Sequence, residues 1–177
     1  MSNLFVRGLT PKFDPEVKMK IHPEVTIGHV HLTVADLERS LAFYRDLLGF
    51  EVTTKYGDSA VFLSAGGYHH HIGLNTWAGK GVKPPPAGHS GLFHFAILYP
   101  SRKELAKVLQ KLIDANYPLT GSADHGVSEA LYLNDPDNIG VELYADRPRS
   151  KWKVNNDGEV EMATEVLNMA SLLKELN

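Results

Sequence analysis

Two stretches of this chain spell the same succession of elements about 65 residues apart, and that repetition limits the fold more than any other feature. In the first, Thr26–Val34 is rich in β-branched residues and alternates, which predicts a strand. Asp36 then stands at a helix N-cap position, ahead of Leu37, Leu41, Tyr44, Leu47 and Leu48 at three- and four-residue steps, with Gly49 to close the helix. Phe50–Thr54, Ala60–Ala65 and His69–Trp77 predict three further strands, separated by turns at Gly57-Asp58 and Gly66-Gly67. The second stretch repeats the order. Leu92–Tyr99 predicts a strand, Ser101 caps a helix carrying Leu105, Val108, Leu109, Leu112 and Ile113 to about Asn116, and Thr120–Asp124, Ser128–Asn134 and Gly140–Tyr144 follow as strands. Asp135-Pro136-Asp137-Asn138 is a strong turn, and residues 78–91, full of Gly and Pro, form the connector. The expected fold class is α+β, with two tandem β-α-β-β-β units (26–77 and 91–147) forming a curved sheet with a central cleft within a domain spanning 26–148.

Residues 1–25, broken by Pro11, Pro15 and Pro23, read as an N-terminal arm. Residues 149–177 read as an extension whose helix carries an apolar stripe of Val166, Leu167, Met169, Ala170, Leu172, Leu173 and Leu176. Such a stripe is expected to dock on its own sheet or on a neighbouring subunit, so a homodimer or higher homo-oligomer is expected. Lys and Arg number 18 against 21 Asp and Glu, for a net charge of −3, which argues against a nucleic-acid or anionic-membrane binder. No run approaches the roughly 20 apolar residues of a membrane span, and Met1–Phe5 lacks a signal pattern. There are no cysteines, which excludes thiolate metal sites and cysteine nucleophiles and fits a cytoplasmic protein.

The nine histidines are the chemistry-bearing residues. Superposing the repeats places His29 on His94 in the opening strands and Gly73 on Glu142 in the closing strands. Glu142 lies between Val141 and Leu143, so alternation turns it to the face opposite both, where a carboxylate needs a cation or strong donors. Two imidazoles and one carboxylate suit a six-coordinate Fe(II) or Mn(II) with open positions, and zinc accepts the same donors. A lone strand histidine is more often a satisfied structural group than a ligand. The correspondence between the repeats favours His29, His94 and Glu142 as metal ligands, with His31, two residues from His29, as the alternative.

His29–Glu51 (HVHLTVADLERSLAFYRDLLGFE), Leu92–Ala96 and Asp135–Tyr144 closely resemble the vicinal oxygen chelate superfamily, which includes glyoxalases, bleomycin-resistance proteins and extradiol dioxygenases. The stretches HHHIGLNTW (69–77) and DRPRSKW (146–152) resemble its bacterial catechol-2,3-dioxygenase group. The resemblance implies metal ligands at His29, His94 and Glu142. It also implies an acid/base histidine at His70, and His125 and Tyr132 as groups that hydrogen-bond substrate oxygens. Gly73 leaves no fourth ligand where glyoxalases carry an acid or amide. The implied activity is metal-dependent extradiol cleavage of a catechol-like aromatic diol by dioxygen, with Fe(II) ahead of Mn(II), Zn or Ni. The alternatives are a glyoxalase-like isomerase or thiol transferase, and a metal-free binder of a small aromatic compound. Dioxygenases of this kind usually carry two such modules where this sequence shows one. Regular alternation points His70 away from the face of Gly73, so a twist or bulge must bring it to the cleft.

Overall fold

The computed structural model describes residues 20–86 and 88–177, so most of the expected arm (1–19) and Ala87 lie outside the described residues. The first unit runs β1 (Val30–Thr33), α1 (Leu37–Leu41), β2 (Glu51–Tyr56), β3 (Ala60–Ser64) and β4 (Ile72–Asn75). The second runs β5 (Phe95–Leu98), α2 (Arg102–Asp114), β6 (Gly121–Asp124), β7 (Ser128–Asn134) and β8 (Gly140–Asp146). Asp36 caps α1 by accepting from the Arg39 N–H, and Ser101 caps α2 by accepting from the Glu104 N–H. After α1 the chain loosens into a π-helical stretch, Ala42–Leu47, that turns Phe43 and Tyr44 into the core.

Both units adopt the expected β-α-β-β-β order, with strands arranged β1-β4-β3-β2 and β5-β8-β7-β6. In each sheet the first and last strands pair in parallel and the others are antiparallel. Hydrogen bonds close each sheet separately, so the units form two four-stranded sheets rather than one continuous ladder. The opening strands are also shorter than expected, and His29, His94 and His69–His71 all precede the strands they were expected to join. Gly140 lies so close to the Phe93 carbonyl that a Cβ would not fit, so the backbone entering β5 passes tightly over the start of β8.

Side chains join the units. The Arg39 guanidinium pairs with Asp137, and the Tyr44 hydroxyl donates to Asp135 Oδ2 at 2.9 Å. The Asp135 Oδ1 accepts from the Asp137 and Ile139 N–H groups, so the expected turn is also the joint. Burial, reinforced by the Asp135 charge, pushes the Tyr44 phenol far above its ordinary value, and burial likewise raises the Asp135 carboxyl. Around this joint Leu41, Phe43, Leu74, Phe95, Leu109, Leu131 and Leu143 form part of one apolar core.

The helix of the C-terminal extension, α3, is shorter than the sequence suggests, covering only Met169–Leu173, and packs on α2. Leu167 and Leu172 are buried, whereas Val166 is 91% exposed, so the apolar stripe is narrower than the sequence suggests. The Arg102 guanidinium holds α3 by donating to the Ser171 carbonyl and to Glu175, while its Nε donates to buried Glu129. Before α3 the chain is extended, and Glu165 bridges to Asp124 at the outer edge of β6. Among the described residues, no helix is long and apolar enough to cross a membrane.

Candidate metal centre

The second unit wires four of the singled-out residues into one chain of contacts. Val141 and Leu143 enter the core, and alternation turns Glu142 to the other face of β8. There its Oε2 lies 3.0 Å from His94 Nε2. Tyr132 is the direct ladder partner of Glu142 across β7 and β8, which settles its direction, and its hydroxyl lies 3.1 Å from Glu142 Oε1. His125 Nε2 stands 2.7 Å from the same hydroxyl. Burial first, then the nearby Glu142 charge, push the Tyr132 phenol up to about 12.

The first unit gathers the other group. The His29 and His70 rings are 4.4 Å apart, and His70 also meets Phe62 at 5.0 Å. His69 Nδ1 and His70 Nδ1 are 2.7 Å apart, so one of the two must carry the proton between them. Lost hydration, followed by the neighbouring imidazoles of His29, His69, His31 and His71, holds His70 below the usual imidazole value. The irregular backbone before β4 thus brings His70 beside His29. His69 was not singled out from its neighbours in the sequence, since nothing in three successive histidines tells which two face each other.

The two closing strands keep the same register against their opening strands: His31 lies opposite Gly73, and Ala96, 65 residues after His31, lies opposite Glu142. Gly73 and Glu142 are therefore equivalent positions, as the superposed sequence implies. The space beside Gly73 is not open, however. The His31 ring fills it, packed against Trp77 at 5.2 Å and Phe62 at 5.6 Å. A bulky residue over Gly in one unit is exchanged for a small residue beside Glu in the other.

The expectation that His29, His94 and Glu142 come within reach of one ion is not met inside one copy. Among the described residues, no group of three or more histidines and carboxylates is arranged to hold a metal. His94 and Glu142 do fit as a pair, because two donor atoms each about 2.1 Å from one ion and at right angles are about 3.0 Å apart. His29 stands with His70 on the other sheet. The two sheets close separately, and the polar joint between the units runs through α1, the π-helical stretch after it and the 135–139 turn.

The family model described as Glyoxalase/Bleomycin resistance protein/Dioxygenase superfamily matches residues 26–143. The chain belongs to that superfamily. Within the superfamily it is 44% identical over 155 residues to a catechol-2,3-dioxygenase of Bacillus subtilis (strain 168), a match covering 88% of this chain and 53% of that protein. It is 31% identical over 121 residues to biphenyl-2,3-diol 1,2-dioxygenase 3 of Rhodococcus globerulus, covering 68% of this chain and 63% of the relative. The chain thus spans between about half and two thirds of the length of these curated relatives. Among solved superfamily structures, a glyoxalase/dioxygenase from Nostoc punctiforme superposes with a TM-score of 0.59 at 15% identity, covering 80% of this chain and all of the other. Lactoylglutathione lyase from Agrobacterium tumefaciens superposes with a TM-score of 0.54 at 24% identity, covering 70% and 96%. These structures share the fold.

Proposed function

We propose that this chain acts in extradiol cleavage of a catechol-like aromatic diol by dioxygen, with a divalent metal, Fe(II) first, held by His29, His94 and Glu142. The observation that carries this reading is the His94–Glu142 pair at 3.0 Å with Tyr132 and His125 in contact behind it. Similarity to the catechol-2,3-dioxygenase supports it. A bound divalent ion would gather the two vicinal oxygens of the diol and supply dioxygen chemistry. The chain's own groups would do the rest. Tyr132, backed by His125, would hydrogen-bond a substrate oxygen, and His70, beside His29, would take a hydroxyl proton and later return it. Gly73, covered by His31, offers no acid that would favour a glyoxalase-like isomerase.

Because one copy holds the ligand set in two halves, a second copy of this chain completes it in this reading. The opening strands β1 and β5, which follow His29 and His94, are both sheet edges. The segments leading into them expose Ile27 at 91% and Phe93 at 89%, apolar surface suited to burial against a partner.

Anaerobic loading with Fe(II), followed by metal analysis and assay with catechol for the yellow ring-cleavage product, tests the activity. His94→Ala should lose metal retention, and stoichiometric metal in that variant would remove the ligand assignment. His70→Phe should keep metal while turnover falls roughly 10²-fold. His29→Ala and Glu142→Ala should each be inactive alone. Unfolded and refolded together, they should recover about a quarter of the wild-type sites if two copies share each site, since half of the dimers are mixed and each has one intact site. No recovery, where wild-type protein refolded in the same way regains its activity, would sink the shared site.

A further inference from the structure

We propose that the extended strap before α3 is a positioning element: the Ala163 carbonyl fixes the tautomer of His125 and so decides where the Tyr132 proton points. The structural part of this proposal stands by itself, and its effect on turnover rests on the dioxygenase reading.

The strap lies beyond the residues that match the superfamily, 26–143. It is laid along the end of β6 by three backbone hydrogen bonds. The Asp124 N–H donates to the Glu165 carbonyl at 2.9 Å, the Glu165 N–H to the Asp124 carbonyl at 2.9 Å, and the Ala163 N–H to the His125 carbonyl at 3.0 Å. Buried Leu167 and the Arg102 contacts to α3 anchor its far end.

This docking puts the Ala163 carbonyl oxygen 2.7 Å from His125 Nδ1. A carbonyl only accepts, so Nδ1 must carry a proton. In the neutral ring Nε2 is then a bare lone pair, and it faces the Tyr132 hydroxyl at 2.7 Å. Tyr132 has one proton and two acceptors in range, His125 Nε2 and, farther off at 3.1 Å, Glu142 Oε1. With the strap docked, the proton goes to His125. Glu142 keeps both oxygens for a cation, and the phenol oxygen presents its lone pairs to a substrate hydroxyl. With the strap undocked, His125 can place its proton on Nε2 and donate to Tyr132, which turns the phenolic O–H toward Glu142.

The test uses the full chain labelled with ¹⁵N-histidine, with His125 assigned by comparison with His125→Gln. Long-range ¹H–¹⁵N correlation at pH 8 should show His125 protonated on Nδ1 and bare on Nε2. An Nε2–H tautomer, or an average of the two, would overturn the proposal whatever the variants do. The double variant Ala163→Pro/Glu165→Pro removes two strap N–H donors, and Glu165→Ala keeps them. The proline pair should move His125 toward the Nε2–H tautomer, with roughly tenfold slower catechol turnover at unchanged metal content, the scale of a lost orienting partner. Glu165→Ala should match wild type in both. A proline variant that is folded by circular dichroism yet keeps the Nδ1–H tautomer would overturn the role of the strap. Absence of catechol cleavage in the wild-type protein would sink the dioxygenase reading, whereas the nitrogen shifts would still decide the tautomer.

Discussion

A Cβ added to Gly73 would stand 2.9 Å from Cδ2 and 3.0 Å from Cγ of His31, closer than unbonded carbons sit without displacement. The ring has little room to yield, with Trp77 and Phe62 at its edges. Gly73→Ala should therefore cost about 1–3 kcal/mol, the range for overpacking a well-filled site. Adding His31→Ala should remove most of that cost, giving a coupling that a urea double-mutant cycle reads directly. Additive effects would mean that the ring does not fill the space. The equivalence of Gly73 and Glu142 was legible in the sequence because a repeat conserves ladder register. The occupant of the space was not, since the direction of His31 depends on Trp77 and Phe62, which the fold brings to it. In the same way, alternation foretold that Glu142 turns from Val141 and Leu143, but only cross-strand pairing could turn Tyr132 toward it.

At the scale of elements, the joint between the α1–π-helical segment and the 135–139 turn matters most. Asp135 is buried and takes three donors: the Tyr44 hydroxyl and the N–H groups of Asp137 and Ile139. Tyr44→Phe keeps the ring and removes one donor, which leaves buried Asp135 Oδ2 short of a partner. The expected loss is about 1–3 kcal/mol in urea unfolding, the cost of a buried acceptor left unmade. Tyr117→Phe serves as a comparison and should cost less, because the Tyr117 hydroxyl donates only to the half-buried Asn134 carbonyl. Equal losses would show that the joint has no special weight. The element order was readable because strand and helix periodicities differ and because Asp36 and Ser101 mark helix starts. Asp135-Pro136-Asp137-Asn138 was readable as a turn, but its pairing with Tyr44 and Arg39 spans about 90 residues and leaves no local signal. The strap was hidden for the same reason, since its contacts are made by backbone groups that every residue has.

For the whole molecule, burial sets how stability responds to alkali. The Tyr44 phenol is held far above its ordinary value, Tyr99 is pushed up to about 12, and Tyr117 is raised as well, with lost hydration the leading cause in each. In the unfolded chain these phenols titrate near about 10. Below that pH neither state loses a proton and the contribution to stability is complete. Above it the unfolded chain releases protons that the folded chain keeps, so stability falls as pH rises from about 10 toward 12. Urea midpoints should be flat from pH 8 to about 9.5 and drop beyond, with phenol absorbance showing ionisation that coincides with unfolding. Ionisation that is complete while the chain stays folded would contradict the burial of these rings.

Each unit closes its own hydrogen-bonded sheet, and a connector rich in Gly and Pro separates them. Residues 78–91 are therefore the natural place to join units taken from two relatives. A chimera that takes one unit from a relative loses no ladder hydrogen bond, because none crosses the boundary. What must match between parents are the Tyr44–Asp135 and Arg39–Asp137 partners and the apolar residues that both units bring to the shared core. The half-sites are inherited the same way: a new first unit brings its own counterpart of His29, while His94, Glu142 and their neighbours stay behind.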